Sequence, residues 1–280
     1  MLSYRHGYHA GNFADVLKHF VQVELLKYLH NKDKPFDYID THAGAGRYQL
    51  NKGFAKKKQE YLNGITKLWP DGDESFNDLH DYLALIRNLN QNTLTLYPGS
   101  ADIAAHWLRE QDKGWYFELH GDDFQHLQQQ YGKIRRIKLR QEDGFKALSA
   151  LLPTQSRRAL VLIDPPYELK EDYRRIISSV KQAYKKMPQA IFAIWYPVVD
   201  RARVRDIQRH FQHSGIRNIV RYELGIQADT RDYGMTSAGM IVINPPWTLN
   251  DTVNRVLPGL AKKFSLDGDP HYQIEQWVGE

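Results

Sequence analysis

Cysteine is absent from the 280 residues, which excludes a disulfide framework and any thiolate metal site. No apolar run approaches the roughly 18 residues that mark a membrane-spanning helix, so no membrane association is expected. Met1 to His9 is polar and aromatic and lacks the apolar core of a secretory signal; a cytoplasmic protein is the expectation. Internal repeats and low-complexity tracts are also missing, which excludes a solenoid. The histidines at 6, 9 and 19 come with neither a His-Glu-x-x-His spacing nor paired carboxylates, so no metal is expected. A Gly-Lys-Ser/Thr run is missing too, and with it a phosphate-cradling loop.

What is present suits a soluble globular chain, with 42% hydrophobic and 25% charged residues. Lys and Arg outnumber Asp and Glu by 38 to 33. That excess fits either a nucleic-acid partner or a merely basic surface.

Seven short apolar runs punctuate the chain: Phe36 to Thr41, Trp115 to Leu119, Ile137 to Arg140, Arg158 to Ile163, Ala190 to Tyr196, Asn218 to Leu224 and Gly239 to Ile243. Helical periodicity fills the gaps over Ala14 to Leu29, Ser100 to Glu110 (with Ser100 as N-cap), Asp122 to Tyr131, Phe145 to Leu152, Asp172 to Lys186 and Ala202 to His213. Strand-helix alternation of this kind predicts an α/β, Rossmann-like fold, a seven-stranded mostly parallel sheet whose last strand runs antiparallel. The interval from Gly46 to Trp115 is too long for one crossover. Residues 47–96 are therefore expected to form a small helical insertion subdomain. Residues 1–46 then supply the N-terminal tail, first helix and first strand, and 97–280 the remainder of the domain. Lys52, Lys56, Lys57 and Lys58 open the insertion and read either as a solvated face or as part of a lid or RNA-contacting subdomain beside the active site.

Chemistry concentrates where strands end, since open α/β sheets bind ligands at the carboxyl ends of their strands. Asp164-Pro165-Pro166-Tyr167 follows the strongest strand. An exocyclic amine is a poor nucleophile because its lone pair is delocalised. The Asp164 carboxylate and Pro165 carbonyl could each accept one N–H and aim that lone pair, with the prolines fixing φ in advance. Tyr167 could stack on the base, and Asp164 could take up the released proton. An ordinary Asp-Pro turn is the competing reading. The near copy Asn244-Pro245-Pro246-Trp247 follows the last strand and reads as a structural turn, because that strand is expected to point the other way.

Gly44 and Gly46 follow His42 after the first strand and allow close approach of a ligand. Glu118 lies near the end of the second strand, where an acid can hold both ribose hydroxyls of a nucleoside. Asp143-Gly144 follows the third, and Asp143 could accept from an adenine amino group. Each alone could be a strand-edge acid or a turn; together they describe an adenosine-bearing cofactor facing an amine-positioning loop.

The Asp-Pro-Pro-Tyr loop and strand order resemble class I adenine-N6 methyltransferases, which use S-adenosyl-L-methionine. The whole chain, from Tyr4-Arg5-His6 through Asp164 to the C-terminus, resembles the RlmJ family, which methylates an adenine of 23S ribosomal RNA, adenine 2030 by that likeness. The resemblance implies cofactor contacts at His19, His42, Ser100, Glu118, Asp143, Gly144 and Asp164, with Lys18 beside them. It also implies a proton acceptor at Asp164 and an RNA contact at Tyr4. His6 and Lys18 are expected at the substrate with Tyr4 and Tyr167, and Lys18 is expected to be removable without loss of stability. The expected partner is 23S ribosomal RNA before full ribosome assembly, met by a monomer. A DNA adenine-N6 methyltransferase and a non-catalytic RNA-binding protein on the same scaffold are the competing functions.

Overall fold

The computed structural model describes residues 6–69, 74–167, 170–230 and 234–280. Asn12 caps helix α1 (Phe13–His30), its side chain accepting from the Asp15 amide. The helix leads into β1 (Asp37–Asp40). The insertion follows, with β2 (Arg47–Gln49), α2 (Gly53–Lys58), α3 (His80–Asn90) and β3 (Leu96–Pro98). From there strands and helices alternate: α4 (Ser100–Trp107), β4 (Lys113–Phe117), α5 (Gly121–Tyr131), β5 (Ile137–Arg140), α6 (Gly144–Leu151), β6 (Ala159–Ile163), α7 (Lys170–Lys186), β7 (Ile191–Val198) and α8 (Arg201–Gln212). The chain closes with β8 (Ile219–Gly225), β9 (Ser237–Ile243), α9 (Trp247–Phe264) and β10 (His271–Val278).

The main sheet runs β10-β8-β9-β7-β6-β1-β4-β5. The five strands from β7 to β5 are parallel. β9 is antiparallel to both its neighbours, so β8 runs with the parallel set. All seven expected strands are present, within a few residues of their expected ends. The count needs one correction: β10 adds an eighth strand, antiparallel to β8, at the sheet edge. Its residues are mostly exposed or half-buried, so it lacks the apolar run that betrays the central strands.

Both sheet faces are covered, which is why the central strands are apolar without alternation. Tyr38, Leu160 and Leu162 pack on one side with α1, α4 and α9. Ile39, Val161 and Ile163 pack on the other with α6, α7 and α8. Helix α9 escapes the sequence reading, although Leu249, Val253, Val256, Leu257, Leu260 and Phe264 form a buried stripe at helical spacing.

The insertion is less helical than expected. β2 and β3 pair antiparallel at its base, and Glu60–Asn63 and Ile65–Leu68 are short 3-10 turns. Its Leu50, Ile65, Leu79, Tyr82 and Ile86 belong to the same continuous core as Phe20 of α1 and Leu260 of α9. At the start of α4 the capping position falls to Gly99, and Ser100 is the first helical residue.

Topology separates the two Pro-Pro loops. The loop after β6 leaves the carboxyl edge of the parallel strands, whereas β9 delivers Asn244 to the opposite edge. There the Asn244 side chain donates to the carbonyls of Pro188 and Ala190, at 2.7 and 2.8 Å.

Candidate active site

One cavity opens at the carboxyl edge of β1, β4, β5 and β6, where successive loops each supply a wall. His42 and Gly44 come from the β1 loop, Glu118 and Leu119 from the β4 loop, Asp143 and Gly144 from the β5 loop, and Asp164 from the β6 loop. Ser100 at the start of α4, with Lys18 and His6, completes it. Nine of the residues singled out from sequence thus meet around one space.

Electrostatics differ from wall to wall. Glu118 accepts from the amides of Gly44 (2.9 Å) and His120 (2.6 Å); burial nonetheless pushes its carboxyl up to about 7. Beneath the cavity Asp40 accepts from the Tyr38 hydroxyl at 3.0 Å, and burial pushes it up to about 6. Burial drives His42 down to about 4, so its imidazole is neutral, with Nδ1 2.8 Å from the Thr41 hydroxyl. Asp143 caps α6 through the amides of Phe145 and Lys146 at 3.0 and 3.4 Å. Its other oxygen accepts from Arg175 at 2.6 Å. In this conformation that oxygen faces a guanidinium, where an adenine amine was expected.

Lys18 is 3% exposed. Its ammonium donates to Oδ2 of Asp164 at 2.6 Å and lies 2.8 Å from Oδ1 of Asp15. Asp15 also accepts from the Gly11 amide at 2.9 Å and pairs with His6 at 3.0 Å. A chain of side-chain contacts thus links His6 in the cavity wall to the loop after β6. Asp15 is a site residue that sequence reading missed; its only signal was an acid in the first turn of α1, which is also what the helix dipole favours. Leu119, Phe145 and Arg175 were missed as well. Leu119 carries the strongest hint, since it remains 50% exposed in the cavity wall, as suits a face that receives a flat ligand.

Four expected residues stand elsewhere. His19 is fully buried, its Nδ1 2.8 Å from the Tyr97 hydroxyl. One helical step of about 100° separates it from Lys18, so the two face different neighbours. Gly46, at φ +81°, turns the chain into β2, and its carbonyl accepts from Gly99 at 2.7 Å. Pro165 is buried behind Asp164 and Pro166, which line the cavity. Tyr167 is buried at φ +53°, its hydroxyl donating to the Trp195 carbonyl and its ring 4.7 Å from that of Tyr173. It props the loop from behind and is not presented as a stacking face. Tyr4 lies outside the described residues. The described residues contain no cluster of His, Asp and Glu fit for a metal, and none of their helices is long and apolar enough to cross a membrane.

The residues present fit an adenosine-bearing sulfonium cofactor. A carboxylate at the β4 end, an acid at the β5 end, apolar Leu119 and Phe145, and a close-packed β1 loop are the donor and acceptor set such a molecule needs.

Comparison with known proteins agrees with this geometry. A family model described as ribosomal RNA large subunit methyltransferase D, RlmJ, matches residues 33–278. Ribosomal RNA large subunit methyltransferase J of Escherichia coli is 46% identical over 279 residues, 99% of each chain. The protein of that name from Haemophilus influenzae is 42% identical over 280 residues, again 99% of each. A crystallised protein of Legionella pneumophila superposes with a TM-score of 0.88 at 37% identity, covering 96% of this chain and 98% of its own. A match over nearly the whole length, reaching both the loop after β6 and the insertion, means that this chain belongs to the RlmJ family of ribosomal RNA methyltransferases.

Proposed function

We propose that the protein transfers a methyl group from S-adenosyl-L-methionine to the exocyclic N6 of one adenine in 23S ribosomal RNA. The observation that carries this reading is the placement of Asp164. It opens the loop after β6 on the wall of the cavity into which Glu118 projects from β4. The relatives' names supply the RNA class.

Glu118 would take the ribose hydroxyls, and Leu119 and Phe145 would flank the adenine ring. The bound cofactor supplies an electrophilic methyl on a sulfonium. Lys18 occupies Oδ2 of Asp164, leaving Oδ1 to accept one N–H of the substrate amine. Once N6 carries the methyl group, the surplus amine proton would pass to the Asp164 carboxylate. Positioning and charge placement do most of the work. A paired base would not reach this loop, so the adenine enters unpaired or flipped.

The test is methyl transfer from labelled cofactor to protein-free 23S ribosomal RNA, with N6-methyladenosine identified by mass spectrometry and duplex DNA as the second substrate. Wild type should label the RNA, and Asp164→Ala should fold but fall below detection. Near-wild-type turnover in that variant, or preference for DNA, overturns the reading.

A further inference from the structure

The chain's positive charge is not spread evenly. Helix α7 carries six basic and two acidic residues, and α8 carries four and one. Together they hold +7, against +5 for the whole chain, so everything else is net negative. Residues 47–96, despite their lysine run, hold seven basic and six acidic residues. Lys58 of that run lies 3.8 Å from Glu60.

α7 and α8 pack side by side and leave an open groove between them. Arg174 and Lys181 line it from α7, and Arg203 and His210 from α8. Arg174, Lys181 and His210 are exposed. The acid in the wall, Asp206, is paired with Arg209. The groove reaches the loop after β6 through neighbouring side chains. The Arg203 guanidinium lies 5.5 Å from the Tyr173 ring centre, and the Tyr173 ring 4.7 Å from that of Tyr167, in the loop that Asp164 opens. Arg174 stands within the first turns of α7, just after that loop. Lys181 lies seven residues further on, about 10 Å along the helix at 1.5 Å per residue.

From this concentration of charge and its continuity with the catalytic loop, we infer that the α7–α8 groove is the docking surface for the ribose-phosphate backbone of the RNA flanking the target adenine. The inference rests on the RNA substrate proposed above. Ammonium and guanidinium groups along a groove suit phosphates, which fix register without reading sequence. Arg203, its guanidinium 5.5 Å from the Tyr173 ring centre, offers a plane on which an unpaired base stacks. The groove shares no lining residue with the cofactor cavity, so its loss should raise KM for RNA without touching cofactor binding.

The experiment compares wild type with Arg174→Gln/Lys181→Gln and with Lys56→Gln/Lys57→Gln. Readouts are RNA affinity across a salt series, steady-state methyl transfer and calorimetric cofactor affinity. The groove variant should bind RNA about tenfold more weakly. Its plot of log K against log salt should be flatter by about 0.7 to 0.9 for each phosphate no longer neutralised. KM for RNA should rise, with kcat and cofactor affinity unchanged. An unaltered salt slope in the groove variant, or a flattening found only in the insertion variant, overturns the inference while leaving the methyltransferase reading intact. Groove-dependent RNA binding by a wild type that never methylates RNA would do the opposite, supporting the docking surface and removing the proposed function.

Discussion

Lys18 shows how a buried charge changes the meaning of a substitution. Burial alone would lower its pKa, but the carboxylates of Asp15 and Asp164 outweigh it and hold the ammonium firmly protonated. Removing one partner of a buried pair costs about 3–5 kcal/mol, because the other charge is left uncompensated. Lys18→Ala should therefore lose stability as well as activity, contrary to the expectation from sequence. Equal melting temperatures for Lys18→Ala and wild type would refute this account of the pair. The link spans 146 positions of chain, and no local pattern in sequence encodes it. Glu118 supports a second prediction at this scale. Its folded-state value of about 7 stands above the ordinary 4.5, so the empty protein favours the protonated form and loses that preference as pH rises from about 4.5 to about 7. Ribose hydroxyls donate to the carboxylate and so favour the ionised form. Cofactor association should strengthen as pH rises, by up to about tenfold per unit, and level off above about 7. Glu118→Gln should bind more weakly and flatten the profile. Calorimetry across that range decides it; a wild-type profile as flat as the variant's removes Glu118 from the ribose site.

At the scale of elements, legibility followed burial. β1, β6, β7 and β9 could be read because two covered faces demand unbroken apolar runs. β2 and β3, three residues each, are too short to carry a pattern, and β10 exposes too much of itself. The strand-end acids were legible because the turn chemistry after a parallel strand is itself short and local. What was not legible is how closely the loops approach one another. Gly144 begins α6 directly against the β1 loop: a Cβ there would come within 2.1 Å of the Thr41 carbonyl oxygen and 2.7 Å of its Cα. Both are backbone atoms, so neither can swing aside. Gly144→Ala should push α6 away from β1 and weaken cofactor binding by about tenfold or more, roughly 1.4 kcal/mol. Gly121→Ala at the start of α5 meets nothing closer than the Gln141 amide at 3.6 Å and should bind normally. Equal affinities in the two variants would show that the β5 loop tolerates displacement.

For the whole molecule the question is whether residues 47–96 form a separate unit. The insertion reads from sequence as a subdomain because it interrupts a strand-helix-strand repeat, but an interruption in sequence need not be one in packing. Gly64 illustrates the close approach to α1: the neighbouring Ile65 amide donates to the Gly11 carbonyl at 2.8 Å, and a Cβ on Gly64 would reach that carbonyl oxygen at 2.1 Å. On the far side Phe76 is 8% exposed, and its ring faces Gly259 and Lys263 of α9. Arg255 of α9 pairs with Asp78 through two bonds of 2.8 and 3.0 Å, an exposed pair that adds little beside the apolar packing. A segment that shares its core with α1 and α9 has no separate reservoir of buried surface, so we expect it to unfold with the sheet in one transition. Phe76→Ala then becomes a diagnostic. A buried Phe→Ala change costs about 3–5 kcal/mol, on the order of 10 °C in a chain of this size. Under shared packing that loss lowers the single global transition, and calorimetric and van't Hoff enthalpies stay equal. If the insertion were autonomous, the variant would instead show an early minor transition followed by a main one at the wild-type temperature. That second pattern would restore the boundaries at 47 and 96 as those of a true subdomain.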